Sequence, residues 1–204
     1  MIAIVDYGRG NLGSVRQAFD RLGLEAVITE DPRVVSDAEA VVLPGDGAFH
    51  DAMANLGTRG LLDPVRATIE GSRPFLGICL GYQLLFTESE EFGQGKGLDV
   101  IPGAVRRFPT NLKVPHMGWN QVEHPGDLPL FDGIPSGAHF YFVHSYYPET
   151  ADPSLRVATC TYGLTFPAAV SRGALHATQF HPEKSQRWGI RMLENFAAIV
   201  REAR

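Results

Sequence analysis

The sequence predicts an α/β domain of three layers: a mainly parallel central sheet flanked by helices, with antiparallel strands added at its periphery. Three observations carry this reading. Apolar strand patterns and amphipathic helix patterns alternate through the first half of the chain, an order that pairs strands in parallel through crossover helices. One of those strands runs straight into a Gly-Ile-Cys-Leu-Gly turn. Past Asp99 the texture changes to short β-rich runs divided by Pro and Gly, as in antiparallel additions.

Taken in order, residues 1–6 form a short apolar strand, 11–22 an amphipathic helix and 24–29 a second strand. Residues 40–43 give another strand, 61–70 a helix, and 74–78 the strand that reaches Cys79. The later β-rich runs are 99–107, 118–122, 138–145, 155–162, 168–171 and 175–179. A closing helix over about 186–202 places Ile190, Leu193, Phe196, Ala197 and Val200 on one face. Neither a repeat nor a low-complexity linker interrupts the chain, so residues 1–204 are expected to form a single domain.

Composition narrows the function classes. The 204 residues are 44% hydrophobic and 20% charged, enough for one substantial core. Net charge is −5, and the 18 basic residues, 15 Arg and 3 Lys, form no long run. Nucleic acid and anionic membrane are therefore not expected partners. The opening MIAIVDYGRGN has no basic segment before its five-residue apolar run and does not read as a signal peptide. Cys79 and Cys160 do not make a secreted disulfide framework, so a reduced, cytoplasmic chain is expected.

The sharpest local signal is Gly77-Ile78-Cys79-Leu80-Gly81, a strand end followed at once by a helix pattern. It is the G-x-nucleophile-x-G elbow with Cys at its centre. The glycines are needed because side chains in so tight a turn would strike neighbouring strands. A sulfur at a helix N-terminus favours the thiolate, and the Leu80 amide faces the place where an oxyanion would form. A lone buried cysteine would more simply fill a strand end; the five-residue frame argues for a nucleophile. Such a thiol needs a base and the base an orienter. Thr178-Gln179-Phe180-His181-Pro182-Glu183 offers both, with Glu183 two residues past His181. His50, His116, His124, His139, His144 and His176 lack an adjacent carboxylate of this kind. A third segment, Pro44-Gly45-Asp46-Gly47, follows a strand and can present backbone N–H groups to developing negative charge. It lacks the Gly-Lys-Ser/Thr ending of a phosphate loop.

Together these segments resemble the class I (triad) glutamine amidotransferases over nearly the whole chain. Within the family, Asp6-Tyr-Gly-Arg-Gly-Asn-Leu12, Pro44-Gly-Asp-Gly-Ala-Phe49, Pro115-His-Met-Gly-Trp-Asn120 and Tyr141-Phe-Val-His-Ser-Tyr146 are similar to the glutaminase subunits of imidazole glycerol phosphate synthases. The likeness implies Cys79 as nucleophile, His181 as general acid and base, and Glu183 as its orienter. It implies an oxyanion hole from Gly45, Asp46, Gly47 and Leu80, with Asp46 standing where the family often carries Val. Gln83 and Glu91 match substrate-holding positions, and His144, Ser145 and Tyr146 line the same pocket. A carboxylate at Glu91 suits the α-ammonium of glutamine, although Glu88, Glu90 and Glu91 also read as a solvated acidic run. No cofactor and no metal is implied. The implied partner is a (β/α)8-barrel cyclase subunit in a heterodimer, with Asn11, Trp119 and Lys184 at the interface and ammonia passed between subunits. Three other readings compete: a glutaminase serving another acceptor such as pyridoxal phosphate synthase, against which Gly118-Trp119-Asn120 argues; a non-catalytic member of the fold, against which the intact Cys79, His181 and Glu183 set argues; and a cysteine peptidase on the same scaffold.

Overall fold

In the computed structural model, which describes residues 1–203, the chain enters on β1 (Ile2–Val5), all four residues of which are buried. A run apolar on both faces is satisfied only between neighbouring strands with helices above and below. α1 (Leu12–Arg21) buries Val15 and Phe19, and β2 (Ala26–Thr29) returns parallel to β1. The next element, α2 (Pro32–Asp37), is absent from the hydrophobic pattern, and its signal is chemical. The Arg33 amide donates to the Asp31 carboxylate at 2.8 Å, and Pro32 fills the first turn, where its missing N–H goes unneeded. Then come β3 (Ala40–Leu43), α3 (Phe49–Thr58), α4 (Leu62–Glu70), β4 (Phe75–Ile78) and α5 (Leu80–Gln83).

Beyond α5 the strands outnumber those the sequence shows. β5 (Phe86–Ser89), β6 (Gly95–Lys96) and β7 (Ile101–Arg107) are followed by a ribbon of β8 (His116–Val122) and β9 (Ala138–His144). β10 (Tyr146–Glu149), β11 (Arg156–Tyr162), β12 (Leu164–Arg172), β13 (Leu175–Thr178) and α6 (Gln186–Glu202) complete the chain. The main sheet has seven strands in the order β11-β12-β13-β4-β3-β1-β2. β13, β4, β3, β1 and β2 are mutually parallel, while β12 and β11 extend one edge antiparallel. β10, β7, β5 and β6 form a second sheet, and among the described residues β8 pairs only with β9. The later strands thus divide among three sheets, and β13 belongs to the parallel centre of the first.

Two local expectations are corrected. The helix after Cys79 is a single four-residue turn, so little aligned peptide dipole stands behind the sulfur. In α6 the buried stripe holds Met192, Leu193, Phe196, Ala197 and Val200, but Ile190 is 45% exposed. The first turn of α6 is pinned elsewhere: a Cβ on Gly189 would meet the Pro182 carbonyl at 1.8 Å, so that glycine takes the closest approach and Ile190 is left at a groove beside Ala18 and Leu22. Among the described residues no helix is long and apolar enough to cross a membrane.

Candidate active site

All the parallel strands leave the sheet at one edge, where α/β folds place their clefts. β4 and β13 are neighbours in register, Ile78 beside Thr178. The residues that follow these two strands, Cys79 and His181, therefore emerge side by side although a hundred positions separate them. Cys79 sits at φ 55 and ψ −108, a conformation that holds its side chain out of the turn and strains a non-glycine backbone. The turn is sterically closed: a Cβ on Gly81 would lie 1.8 Å from the Leu43 carbonyl, and one on Gly77 would lie 3.0 Å from that of Gly81. The Cys79 amide donates to Thr178 O at 2.7 Å, tying the elbow to β13. Leu80 opens α5, so its amide is one of the first-turn donors without an intrahelical partner.

His181 is held from both sides. Its amide donates to Tyr141 O at 3.0 Å, and the Ser185 hydroxyl donates to its carbonyl at 2.6 Å. Pro182 starts a 3-10 turn (Pro182–Lys184) that brings Glu183 back beneath the ring, where His181 Nδ1 donates to Glu183 Oε1 at 2.8 Å. The two side chains are only 6% and 1% exposed. Burial alone would strip the proton from this imidazole. The Cys79 sulfur beside the ring and the Glu183 carboxylate outweigh it and raise the His181 pKa from 6.5 to about 10. Cys160 is the opposite case, buried in the core with its thiol pushed up to about 12 by desolvation; it fills space and offers no nucleophile.

Cys79 and His181 open on a cleft of about 440 Å³. Asp46, Gly47, Leu80, Gln83 and Glu91 line it from the first half of the chain, and His144, Ser145 and Tyr146 from the second. Asn11 and Lys184 stand at the same cleft. Gly45 lies one step deeper and buried, where a Cβ would meet the Tyr7 hydroxyl at 2.3 Å and Leu80 Cβ at 2.8 Å. Trp119 lines a neighbouring depression instead, 46% exposed and edge-on to Tyr141.

Several of these side chains have partners that the sequence does not show. The Gly10 amide donates to the Asp46 carboxylate at 3.0 Å, fastening the Pro44–Gly47 turn to the loop after β1. The Phe49 amide donates to the Glu91 carboxylate at 2.7 Å, so Glu91 holds the first turn of α3 while lining the cleft. Its pKa is raised by burial and drawn back by that bond. Glu90, next to it, pairs with Arg106 outside. The acidic run is thus divided in direction.

Gln83 is buried, and its amide nitrogen donates to Tyr146 O and to Gln179 Oε1, both at 3.0 Å. With its oxygen so engaged, Gln179 turns its own nitrogen to Cys79 Sγ at 3.7 Å. Sequence reasoning passed over Gln179. Its nearness to His181 was the one signal; the chain bends at Gln179 and Phe180, past the end of β13, so no strand alternation pointed to it.

Comparison with known proteins adds the lineage. The family model described as Glutamine amidotransferase class-I matches residues 3–200. The imidazole glycerol phosphate synthase subunit HisH of Syntrophotalea carbinolica is 55% identical over 203 residues, covering 96% of this chain and 98% of that protein. The subunit HisH of Moorella thermoacetica is 54% identical, covering 99% and 96%. Among solved structures, a crystal structure of glutamine amidotransferase superposes with a TM-score of 0.77 at 21% identity, covering 98% of this chain and 99% of the other. PurLQS from Thermotoga maritima superposes with a TM-score of 0.76 at 16% identity, covering 97% of each chain. At such identities the two superpositions speak for the fold alone.

Proposed function

The chain belongs to the class I glutamine amidotransferases, and we propose that it is the glutaminase subunit of an imidazole glycerol phosphate synthase, releasing ammonia from glutamine for a cyclase subunit in histidine biosynthesis. The observation that carries the chemistry is the meeting, in one cleft, of Cys79 at its strained elbow with a buried His181 paired to Glu183. The match to two HisH subunits at 54–55% identity over nearly whole chains carries the assignment of pathway.

In this reading Cys79 Sγ attacks the carboxamide carbon, and the oxyanion is received by the Leu80 amide and the turn at Gly45, Asp46 and Gly47. The C–N bond breaks as His181 gives its proton to the departing nitrogen, which leaves as ammonia. Water, deprotonated by His181, then cleaves the γ-glutamyl thioester to glutamate and restores the thiol. Glu183 keeps His181 in one orientation, and a pKa near 10 suits the ring to act first as a donor. Glu91 receives the substrate α-ammonium, while Gln83, His144, Ser145 and Tyr146 shape the pocket around it. Asn11 and Lys184 at the cleft, with exposed Trp119 beside them, form the docking face for the (β/α)8-barrel cyclase.

The test uses the complex with a cyclase subunit. Cys79→Ser is expected to abolish synthesis from glutamine, by at least about 10³-fold, while synthesis from added ammonium salts persists. Glutamine turnover near wild type in that variant would overturn the reading.

A further inference from the structure

From His116 on, the Pro115-His-Met-Gly-Trp-Asn120 segment lies on β8, whose pairing with β9 sets His116 opposite His144 and alternates the side chains strictly. Met117 and Trp119 face out, 62% and 46% exposed, while His116 and Asn120 face the interior. Inside, His116 stacks on Tyr162 with centroids 4.1 Å apart and on Phe142 at 4.9 Å. An aromatic ring there would satisfy packing without any polar atom. Yet every ring nitrogen of the two histidines is engaged.

The two ends of this chain of hydrogen bonds fix its direction. At one end His144 Nδ1 lies 2.7 Å from Tyr146 O, which only accepts, so Nδ1 carries the proton. At the other end Asn120 Nδ2 lies 3.0 Å from Thr161 O, and Asn120 Oδ1 accepts from the Gln121 amide at 2.8 Å, which fixes the amide's orientation. Asn120 Nδ2 therefore also donates to His116 Nε2 at 3.2 Å, and a neutral His116 carries its proton on Nδ1. At the 3.0 Å contact between the two rings His116 Nδ1 is thus the donor and His144 Nε2 the acceptor. Desolvation pushes the pKa of His116 down to about 4 and that of His144 to about 3, so both rings are neutral.

We propose that His116, seated by Asn120, is a positioning residue: its Nδ1–H fixes His144 in the tautomer that pins the Tyr146 carbonyl, and that carbonyl holds the Gln83–Gln179 pair against Cys79 Sγ. Tyr146 O receives both the His144 proton and a Gln83 amide proton, so the glutamine-facing wall and the sulfur share one anchor. Without the His116 donor, His144 Nε2 is left buried and unpaired, and the ring, tethered only through Nδ1, can swing off the Tyr146 carbonyl and release the wall. The inference rests on the glutaminase reading for its kinetic consequence but not for its tautomers.

Two variants separate positioning from packing. His116→Phe keeps the stacked ring and loses the donor, whereas His116→Asn loses the ring and places an amide nitrogen where Nδ1 lay. In the complex with a cyclase subunit, His116→Phe is expected to raise the KM for glutamine roughly tenfold with kcat changed less than about threefold. His116→Asn is expected to return KM to within about twofold of wild type, even if its Tm is lower. A purely structural histidine gives the reverse order, with Asn the worse variant in KM, and that result overturns the proposal. Nitrogen-15 NMR of the histidine-labelled chain reads the tautomers without turnover. His144 is expected protonated at Nδ1 in wild type, with its Nε2 signal shifted in His116→Phe as the bond to that nitrogen is lost; a wild-type ring protonated at Nε2 overturns the proposal even if a variant does not fold. If wild type turns over no glutamine, the functional reading fails while the tautomer result still decides this one.

Discussion

Two buried imidazoles flank Cys79, and the fold sets them in opposite states. At the edge of the parallel sheet, His181 has the Cys79 sulfur beside it and the Glu183 carboxylate below it, and its proton is held up to about pH 10. On the β8–β9 ribbon, His144 is buried among Phe108, Phe142, Phe166 and the ring of His116, has neutral hydrogen-bond partners, and stays unprotonated down to about pH 3. Both rings are nearly removed from water. Burial therefore does not choose the charge of a histidine. It magnifies whatever the neighbours ask for, because desolvation penalises an unpaired charge and low dielectric strengthens a paired one. One side of the cleft holds a proton and the other holds a shape.

The largest test of this contrast converts the first region toward the second. Glu183→Gln keeps a hydrogen-bonding side chain and removes the charge. Glutamine turnover is expected to fall on the order of 10³- to 10⁴-fold, as when an orienting carboxylate becomes an amide in other triads. Steady-state glutamate release measures it, and a loss under tenfold would return Glu183 to a structural role. The same variant has a signature in stability. Because the folded pKa of His181 is raised from 6.5 to about 10, the stability it contributes is complete below about pH 6.5 and is lost as pH rises through about 10. The gap in urea unfolding free energy between wild type and Glu183→Gln is expected to narrow between pH 7 and pH 10. A constant gap would break the assignment of that charge to the pair.

Glu91 tests whether the shape-holding side carries a charge of its own. Glu91→Gln still accepts the Phe49 amide, so α3 keeps its first turn, but it cannot pair with an ammonium. The KM for glutamine is expected to rise about tenfold or more, since a bond to a charged group contributes about 1.5–3 kcal/mol. An unchanged KM would leave Glu91 as a helix cap alone.

The smallest expected effect lies on the ribbon at acid pH. His116 and His144 refuse protons that the unfolded chain accepts near pH 6.5, so the stability they contribute is complete above that pH and is lost as pH falls through about 4 and then about 3. His116→Phe removes one of the two, and its urea midpoint is expected to decline less than that of wild type between pH 6.5 and pH 4. An equal slope would mean that His116 is not desolvated as its surroundings imply.

Much of this molecule is written locally. Apolar tetrapeptides such as Ala40–Leu43 announce central strands because no other environment accepts them, and the elbow glycines announce a nucleophile turn because any side chain at Gly81 would strike Leu43. The capped helix at Asp31-Pro32 was legible too, but in chemistry that hydrophobic periodicity does not carry. Other features were out of reach of any local pattern. Ile190 falls on the apolar stripe of α6 by periodicity and is exposed because Gly189, pressed on Pro182, fixes how that end of the helix sits. The distribution of later strands among three sheets depends on which edges are free after the parallel centre has formed.

The sequence by itself determined the fold class, the presence of a cysteine elbow, and the adjacency of a histidine to its carboxylate two residues on. Each follows from the sterics and hydrogen bonding of a few consecutive residues, which no distant contact needs to complete. Only the tertiary structure decided that β13 lies beside β4, and so that His181 meets Cys79. The same holds for Gln179, whose amide is turned to the sulfur by its bond to Gln83, and for His116, which reaches His144 across a ribbon. Those pairings join residues from 28 to 102 positions apart (144 − 116 and 181 − 79), and strand order and register, which selected them, are properties of the whole sheet rather than of any segment in it.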